Sequence, residues 1–255
     1  MRRIVILLIL QIIATGFCFG QLPHTFTQYT SEDGLSQNTI MSILQDDKGV
    51  MWFATWDGLY KFDGYTFNNY KAHPGDSIGL SNNRLDNIKE DRYGYIWVQS
   101  YNHQVYRFNP RLERFQAIPY DNYLSLDMYV LPCGDVWIIT VQNELIHIST
   151  HPKTHEMKAT DFFKSHQISY SEPIKSIFQD SRENQWILTE NGLYRLTRNG
   201  NEEKLSSYFV APPEKDKQPF YDALENNHTI YFTSKQGCVY AVSYTHLTLP
   251  TNSLV

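Results

Sequence analysis

The sequence predicts an all-β fold, a β-propeller with about five four-stranded blades, on three observations. Residues 38–70 read as four short strands joined by three turns. An aromatic anchor then recurs along the chain: Trp52, Trp97, Trp137, Trp186 and Tyr231, at spacings of 45, 40, 49 and 45 residues. Around these anchors, Asp46, Asp91 and Asp180 each stand six residues before their tryptophan, and Glu225 six before Tyr231. Gly58, Gly192 and Gly237 each stand six after. A period of roughly 40–50 residues, with four strands and one aromatic anchor per unit, is the mark of propeller blades.

The first unit shows why each strand forms. Thr39-Ile40-Met41-Ser42-Ile43-Leu44 is apolar nearly throughout, which predicts a strand buried on both faces. Asp46-Asp47-Lys48-Gly49 is turn chemistry, and Gly49 is free to take positive φ. Met51-Trp52-Phe53-Ala54-Thr55 is aromatic and β-prone, Asp57-Gly58 turns the chain, and Leu59-Tyr60-Lys61-Phe62 alternates. Asp63-Gly64 turns again before the more polar Tyr65-Thr66-Phe67-Asn68-Asn69-Tyr70, an outer strand. The same register places blades at about 38–70, 83–118, 126–163, 173–209 and 220–241. Each tryptophan falls on a second strand, where a large ring fills the space between neighbouring sheets. The anchors Trp52, Trp97, Trp137, Trp186 and Tyr231 are therefore core residues, and truncating a tryptophan to alanine should cost about 3–5 kcal/mol.

The two ends read differently from the repeats. Met1-Arg2-Arg3, the apolar residues 4–17 and the small Cys18 and Gly20 make residues 1–20 a secretory signal peptide. Residues 242–255 carry no charge, break the repeat register, and resemble the translation of a sequencing adapter rather than native chain. Without Arg2 and Arg3 the formal charge moves from −5 to −7. A mildly acidic chain with no basic run argues against nucleic acid as a partner. Cys133 and Cys238 are the cysteines left after processing, too few for a disulfide framework.

Residues 44–64, LQDDKGVMWFATWDGLYKFDG, resemble the two-component regulator propeller repeat. Residues 26–38, FTQYTSEDGLSQN, are similar to the opening of the periplasmic sensor of hybrid two-component systems in gut Bacteroidetes. The likeness is close in units one, two and four. It is weaker in unit three, which lacks the aspartate, and in unit five, which lacks the tryptophan. It implies that these blades form an incomplete part of a seven-bladed ring, on the periplasmic side of the inner membrane. It also implies downstream propeller, membrane and kinase regions, a homodimeric full-length protein, and oligosaccharides from dietary or host glycans as ligands. No kinase motif stands in this sequence, so this stretch is expected to have no enzymatic activity of its own and no cofactor.

Propellers usually bind at the face where the second-to-third-strand turns and the between-blade loops emerge. On this register that face carries Trp56, Asp57, Arg84, Tyr101, Asn102, His103, Asn143 and Asn191. Aromatic platforms beside Asp, Asn, His and Arg suit a sugar, which offers an apolar face and a rim of hydroxyls. His147, His151 and His155 stand at spacings of four, but His147 lies on a strand and Pro152 interrupts any helix, so no metal site is expected. No pair of catalytic carboxylates, phosphate loop or activated nucleophile is apparent. Two other function classes stay open beside ligand sensing: a secreted propeller lyase or glycosidase, and a protein-binding scaffold. Residues 26–29 look like an outer strand that arrives before its own blade, with its partner blade outside this sequence.

Overall fold

A computed structural model describes residues 26–72, 75, 79–166, 173–190, 192–199, 202–208, 220–234 and 239–243. Among the described residues, nineteen strands make five antiparallel sheets, each following chain order. Blade 1 is β1 (Ile40–Gln45), β2 (Met51–Thr55), β3 (Gly58–Phe62) and β4 (Phe67–Tyr70). Blade 2 is β5 (Leu85–Glu90), β6 (Ile96–Ser100), β7 (Val105–Asn109) and β8 (Arg114–Ala117). Blade 3 is β9 (Ser125–Val130), β10 (Val136–Thr140), β11 (Leu145–Thr150) and β12 (Met157–Asp161), followed by the short helix α1 (Phe162–Ser165). Blade 4 is β13 (Ile174–Gln179), β14 (Gln185–Thr189), β15 (Leu193–Asn199) and β16 (Glu202–Tyr208). The described part of blade 5 has three strands, β17 (Phe220–Asn226), β18 (Thr229–Ser234) and β19 (Val239–Ser243). The propeller prediction agrees with this architecture.

Blades 1 to 4 each present a tryptophan to the next blade, whereas Tyr231 in the same place of blade 5 is only half-buried. Trp52, Trp97, Trp137 and Trp186 are all buried. Trp52 meets Phe108 of blade 2 edge-on at 5.6 Å, and Trp186 meets Phe232 of blade 5 at the same distance. Trp97 is buried with Val136, Ile138, Ile146 and Ile148 of blade 3. In blades 1, 2 and 4 the aspartate six residues upstream accepts the indole N–H. Asp46 does so at 2.9 Å, Asp91 at 2.7 Å and Asp180 at 2.9 Å. The other oxygen of each aspartate accepts backbone N–H groups of its own turn, so one carboxylate ties turn to core. Each tryptophan also faces a basic residue directly across the second and third strands: Lys61, Arg107, His147 and Arg195.

Three expectations change. The first strand is not buried on both faces: Met41 is 47% and Ile43 58% exposed, because no described blade covers that side of blade 1. At the other end of the arc, Leu224 on the anchor face of blade 5 is 65% exposed. Glu225 does not act as an upstream aspartate. The turn of blade 5 is only Asn227-His228, so Glu225 pairs with Ile230 in the place where Glu90 pairs with Ile96 and Gln179 with Gln185. All three side chains accept a backbone N–H from the preceding blade: Glu90 from Asp47, Gln179 from Cys133 and Glu225 from Ser181. Finally, residues 26–29 form no strand. Tyr29 packs edge-on against Phe62 at 4.9 Å and Phe67 at 5.7 Å, so this residue lies on the open face of its own blade 1.

Pairing in β18–β19 runs through Val242 and Ser243, across the boundary drawn at residue 241. The remainder of the tail, residues 244–255, and the leader, residues 1–20, lie outside the described residues, as does Cys238. Cys133 is a free thiol, and burial, together with Asp135 nearby, pushes it up to about 11.

Candidate ligand-binding face

Backbone geometry fixes the four-after-tryptophan position in every complete blade. The N–H of Trp56, Tyr101, Val141 and Glu190 donates to the carbonyl just before the inner strand of the same sheet, respectively Thr39, Arg84, Leu124 and Pro173. These bonds hold the second-to-third-strand turn against the incoming between-blade connection. Blades 1 and 2 place aromatic rings there, blades 3 and 4 do not.

Trp56 and Tyr101 are 42% and 56% exposed. Between them stands the guanidinium of Arg84, 5.2 Å from the Trp56 ring and 5.8 Å from the Tyr101 ring. The cation holds both rings in place through cation–π attraction, worth about 0.5–1 kcal/mol at an exposed site. The three residues form a ridge across the boundary of blades 1 and 2. Gly58 helps to close that boundary by donating its N–H to Asn83 O at 2.8 Å. It sits at φ +109°, and a Cβ there would lie 2.5 Å from Tyr70 O, so glycine is required.

The other predicted residues divide. Asn102 adjoins the ridge: its side chain accepts from Ser100 Oγ at 2.6 Å and donates to Ser81 Oγ at 2.9 Å, and Ser81 in turn accepts from Tyr106 OH. His103, at φ +63°, is set by Nδ1 against Ser125 O at 2.9 Å. Asp57 is engaged locally, accepting from Lys71 Nζ at 2.5 Å and Ser36 Oγ at 2.6 Å. Burial would lift its carboxyl, but hydrogen bonds from Lys71 and Ser36 bring it below its ordinary range. It therefore pins the N-terminal segment to blade 1. Asn143 is a turn residue at φ +63° whose Oδ1 accepts from Ile174 N at 3.1 Å, on the boundary of blades 3 and 4. Asn191 and most of the loop 73–78 lie outside the described residues.

Ser81 and Asp86 belong to this neighbourhood and were missed by sequence reasoning. Burial pushes the Asp86 carboxyl above its ordinary range, against the opposing charge of His103. No spacing rule would have found them, since one lies in an irregular loop and the other at the bulge between Leu85 and Asn87. Of the three spaced histidines, His147 stacks on Trp137 at 4.3 Å, while His151 Nδ1 accepts from Thr154 N. Among the described residues, no group of three or more His, Cys, Asp or Glu side chains is arranged to hold a metal ion.

Residues 34–57, which include the first two strands of blade 1, match the two component regulator propeller family. A stretch of 56 residues is 48% identical to histidine kinase P4 of Formosa agariphila, covering 22% of this chain and 4% of that protein's length. Among solved structures, the chain resembles PorZ, an essential surface component of the type-IX secretion system of Porphyromonas gingivalis. The TM-score is 0.57 at 13% identity, over 80% of this chain and 32% of PorZ. It also resembles the extracellular domain of the one-component system BT4673 of B. thetaiotaomicron. There the TM-score is 0.52 at 17% identity, over 82% of this chain and 28% of that one. These structural likenesses establish a shared propeller fold. Among the described residues, no helix is long and apolar enough to cross a membrane.

Proposed function

We propose that this chain is part of the extracytoplasmic, ligand-sensing propeller of a hybrid two-component sensor histidine kinase, and that it recognises an oligosaccharide to regulate glycan utilisation. The observation that carries the reading is the ridge of Trp56, Arg84 and Tyr101, two half-exposed rings flanking a cation on the face where the second-to-third-strand turns emerge. A pyranose stacks its C–H face on such rings, and Arg84 and Asn102 supply donors and acceptors for its hydroxyl rim. The regulator repeat and the kinase-named relative support the sensor context. On this reading the leader exports the chain to the periplasmic side of the inner membrane. The propeller itself performs no chemistry, and downstream propeller, membrane and kinase regions complete a protein that works as a homodimer.

Ligand binding can bias such a sensor only by its differential affinity for the two signalling states. Two conditions follow: the rings must contact sugar, and their removal must cost affinity. Screening the chain against panels of plant and host oligosaccharides should return a binder. Trp56→Ala and Tyr101→Ala should each weaken it by about tenfold or more, the range of a lost aromatic contact at a binding centre. Unchanged affinity in both variants would remove this face from recognition.

A further inference from the structure

The opposite end of the blades, where the first-to-second and third-to-fourth strand turns emerge, holds a cavity of about 490 Å³. Four turns from three blades build it. Asp47 and Lys48 come from blade 1, Arg92 to Tyr95 and Asn109 to Leu112 from blade 2, and His155 from blade 3. Its size falls within the roughly 300–1,000 Å³ usual for small-ligand sites.

Three cations, Lys48, Arg92 and Arg111, line the cavity against two carboxylates, Asp47 and Glu90. One of those carboxylates, Glu90, already accepts the Asp47 N–H at 2.9 Å. A fourth cation stands behind the wall. Arg107 is only 4% exposed; its guanidinium lies 4.3 Å from the Tyr95 ring, and its Nη2 donates to His155 O at 2.8 Å. Both Tyr95 and His155 line the cavity. Arg107 forms no ion pair among the described residues, and its Nε and Nη1 have no hydrogen-bond partner there. The buried Asp91 carboxylate attracts it without forming an ion pair, so its charge is only partly offset and still acts through a low-dielectric wall. The wall has an orphan of its own: His155 Nδ1 is buried with no partner, on a ring held edge-on to Tyr93 at 5.2 Å.

We infer that this cavity is a second binding site, for a small carboxylate-bearing ligand the size of one or two sugar rings. The cations at the rim take the carboxylate, with charge-assisted bonds and a planar fork from arginine. Tyr93, Tyr95 and His155 supply flat surfaces for the rest of the molecule. The site does not depend on the ridge of Trp56, Arg84 and Tyr101, which lies at the other end of the blades.

Glucuronate and glucose differ at one carboxylate, and saturation-transfer NMR and titration of both against the full chain form the test. Glucuronate should bind at least about tenfold more tightly than glucose, and the preference should shrink as salt rises. Arg111→Gln, an exposed rim change, and Arg92→Gln should each weaken glucuronate by about tenfold, while Trp56→Ala leaves it unchanged. Arg107→Met should abolish the preference; if that variant does not fold, the Arg111 change carries the test. Equal binding of the two sugars, indifference to Arg92 and Arg111, or loss of glucuronate binding on Trp56→Ala would each overturn the site. Neither of the first two results bears on recognition of a neutral oligosaccharide at the ridge.

Discussion

Blade 3 solves the same problem as blades 1, 2 and 4 by a different route. In those three the indole N–H of the anchor goes to an aspartate of the same blade. In blade 3 the equivalent position is Leu131, and the Trp137 N–H instead donates to Gln185 Oε1 of blade 4 at 3.0 Å. Gln185 Nε2 then donates to Asp135 at 2.8 Å, and Asp135 is ion-paired with Arg198 of blade 4 and stands 3.4 Å from His147 Nε2. The core of blade 3 is therefore satisfied across a blade boundary, through a buried polar network that joins it to its neighbour. A shift of the next blade leaves the indole N–H of blades 1, 2 and 4 paired, whereas in blade 3 it strips the indole of its partner.

The largest effect that separates the two designs should come from truncating the anchors. Trp97→Ala and Trp137→Ala should each cost about 3–5 kcal/mol in denaturant unfolding. Only the second should also loosen blade 4, read by hydrogen exchange of β14 and β15. Next in size is the polar bridge. Gln185→Leu should cost about 1–3 kcal/mol, the penalty of an orphaned buried donor, and a double-mutant cycle with Trp137→Phe should show coupling that a cycle with Trp97→Phe lacks. Equal coupling in both cycles would erase the distinction between the blades.

A pH titration sharpens it further. Burial favours the neutral form of Asp135, but hydrogen bonding and charge from His147, with Arg198 and Gln185 beside it, hold its carboxyl well below the ordinary range. A carboxylate depressed in the folded state contributes stability that is present above its unfolded value, about 3.9, and is lost as pH falls toward the folded value. Asp135→Asn should therefore be less stable than wild type at neutral pH and lose less between pH 5 and 3. An identical pH slope in the two proteins would show that the network carries no linked proton. At the blade 1 boundary, Gly58→Ala should cost about 1–3 kcal/mol through strain at positive φ and the clash of the new Cβ with Tyr70 O, with no change in pH slope.

Much of this was readable in the sequence, because the blade repeats its own constraints. Asp46, Asp91 and Asp180 mark the turn-to-indole bond, and counting from each tryptophan finds the turn on the candidate face. What escaped was set by contacts between blades. Gln185 stands beside Trp186 in the chain yet serves Trp137, and no local pattern connects them. Glu225 was misplaced because the turn after it is shorter, which shifts its register and gives it the bridging role of Glu90 and Gln179. The apolar run of β1 says nothing of which blade would cover Met41 and Ile43. Trp56, Arg84 and Tyr101 were each named as candidates, but only the structure puts the guanidinium between the rings. The cavity at the far end was missed outright, although the basic residue facing each tryptophan, Lys61, Arg107, His147 or Arg195, was a signal available in the sequence.

The contrast between buried and exposed tryptophan gives the most direct test of ligand recognition. The chain has five tryptophans, of which Trp52, Trp97, Trp137 and Trp186 are buried and hydrogen-bonded, and Trp56 alone is half exposed. In a heteronuclear NMR titration with a binding oligosaccharide, the Trp56 indole N–H signal should move and saturate while the four anchor signals hold still. Movement of the anchors without Trp56, or binding that leaves all five signals in place, would contradict recognition at the ridge.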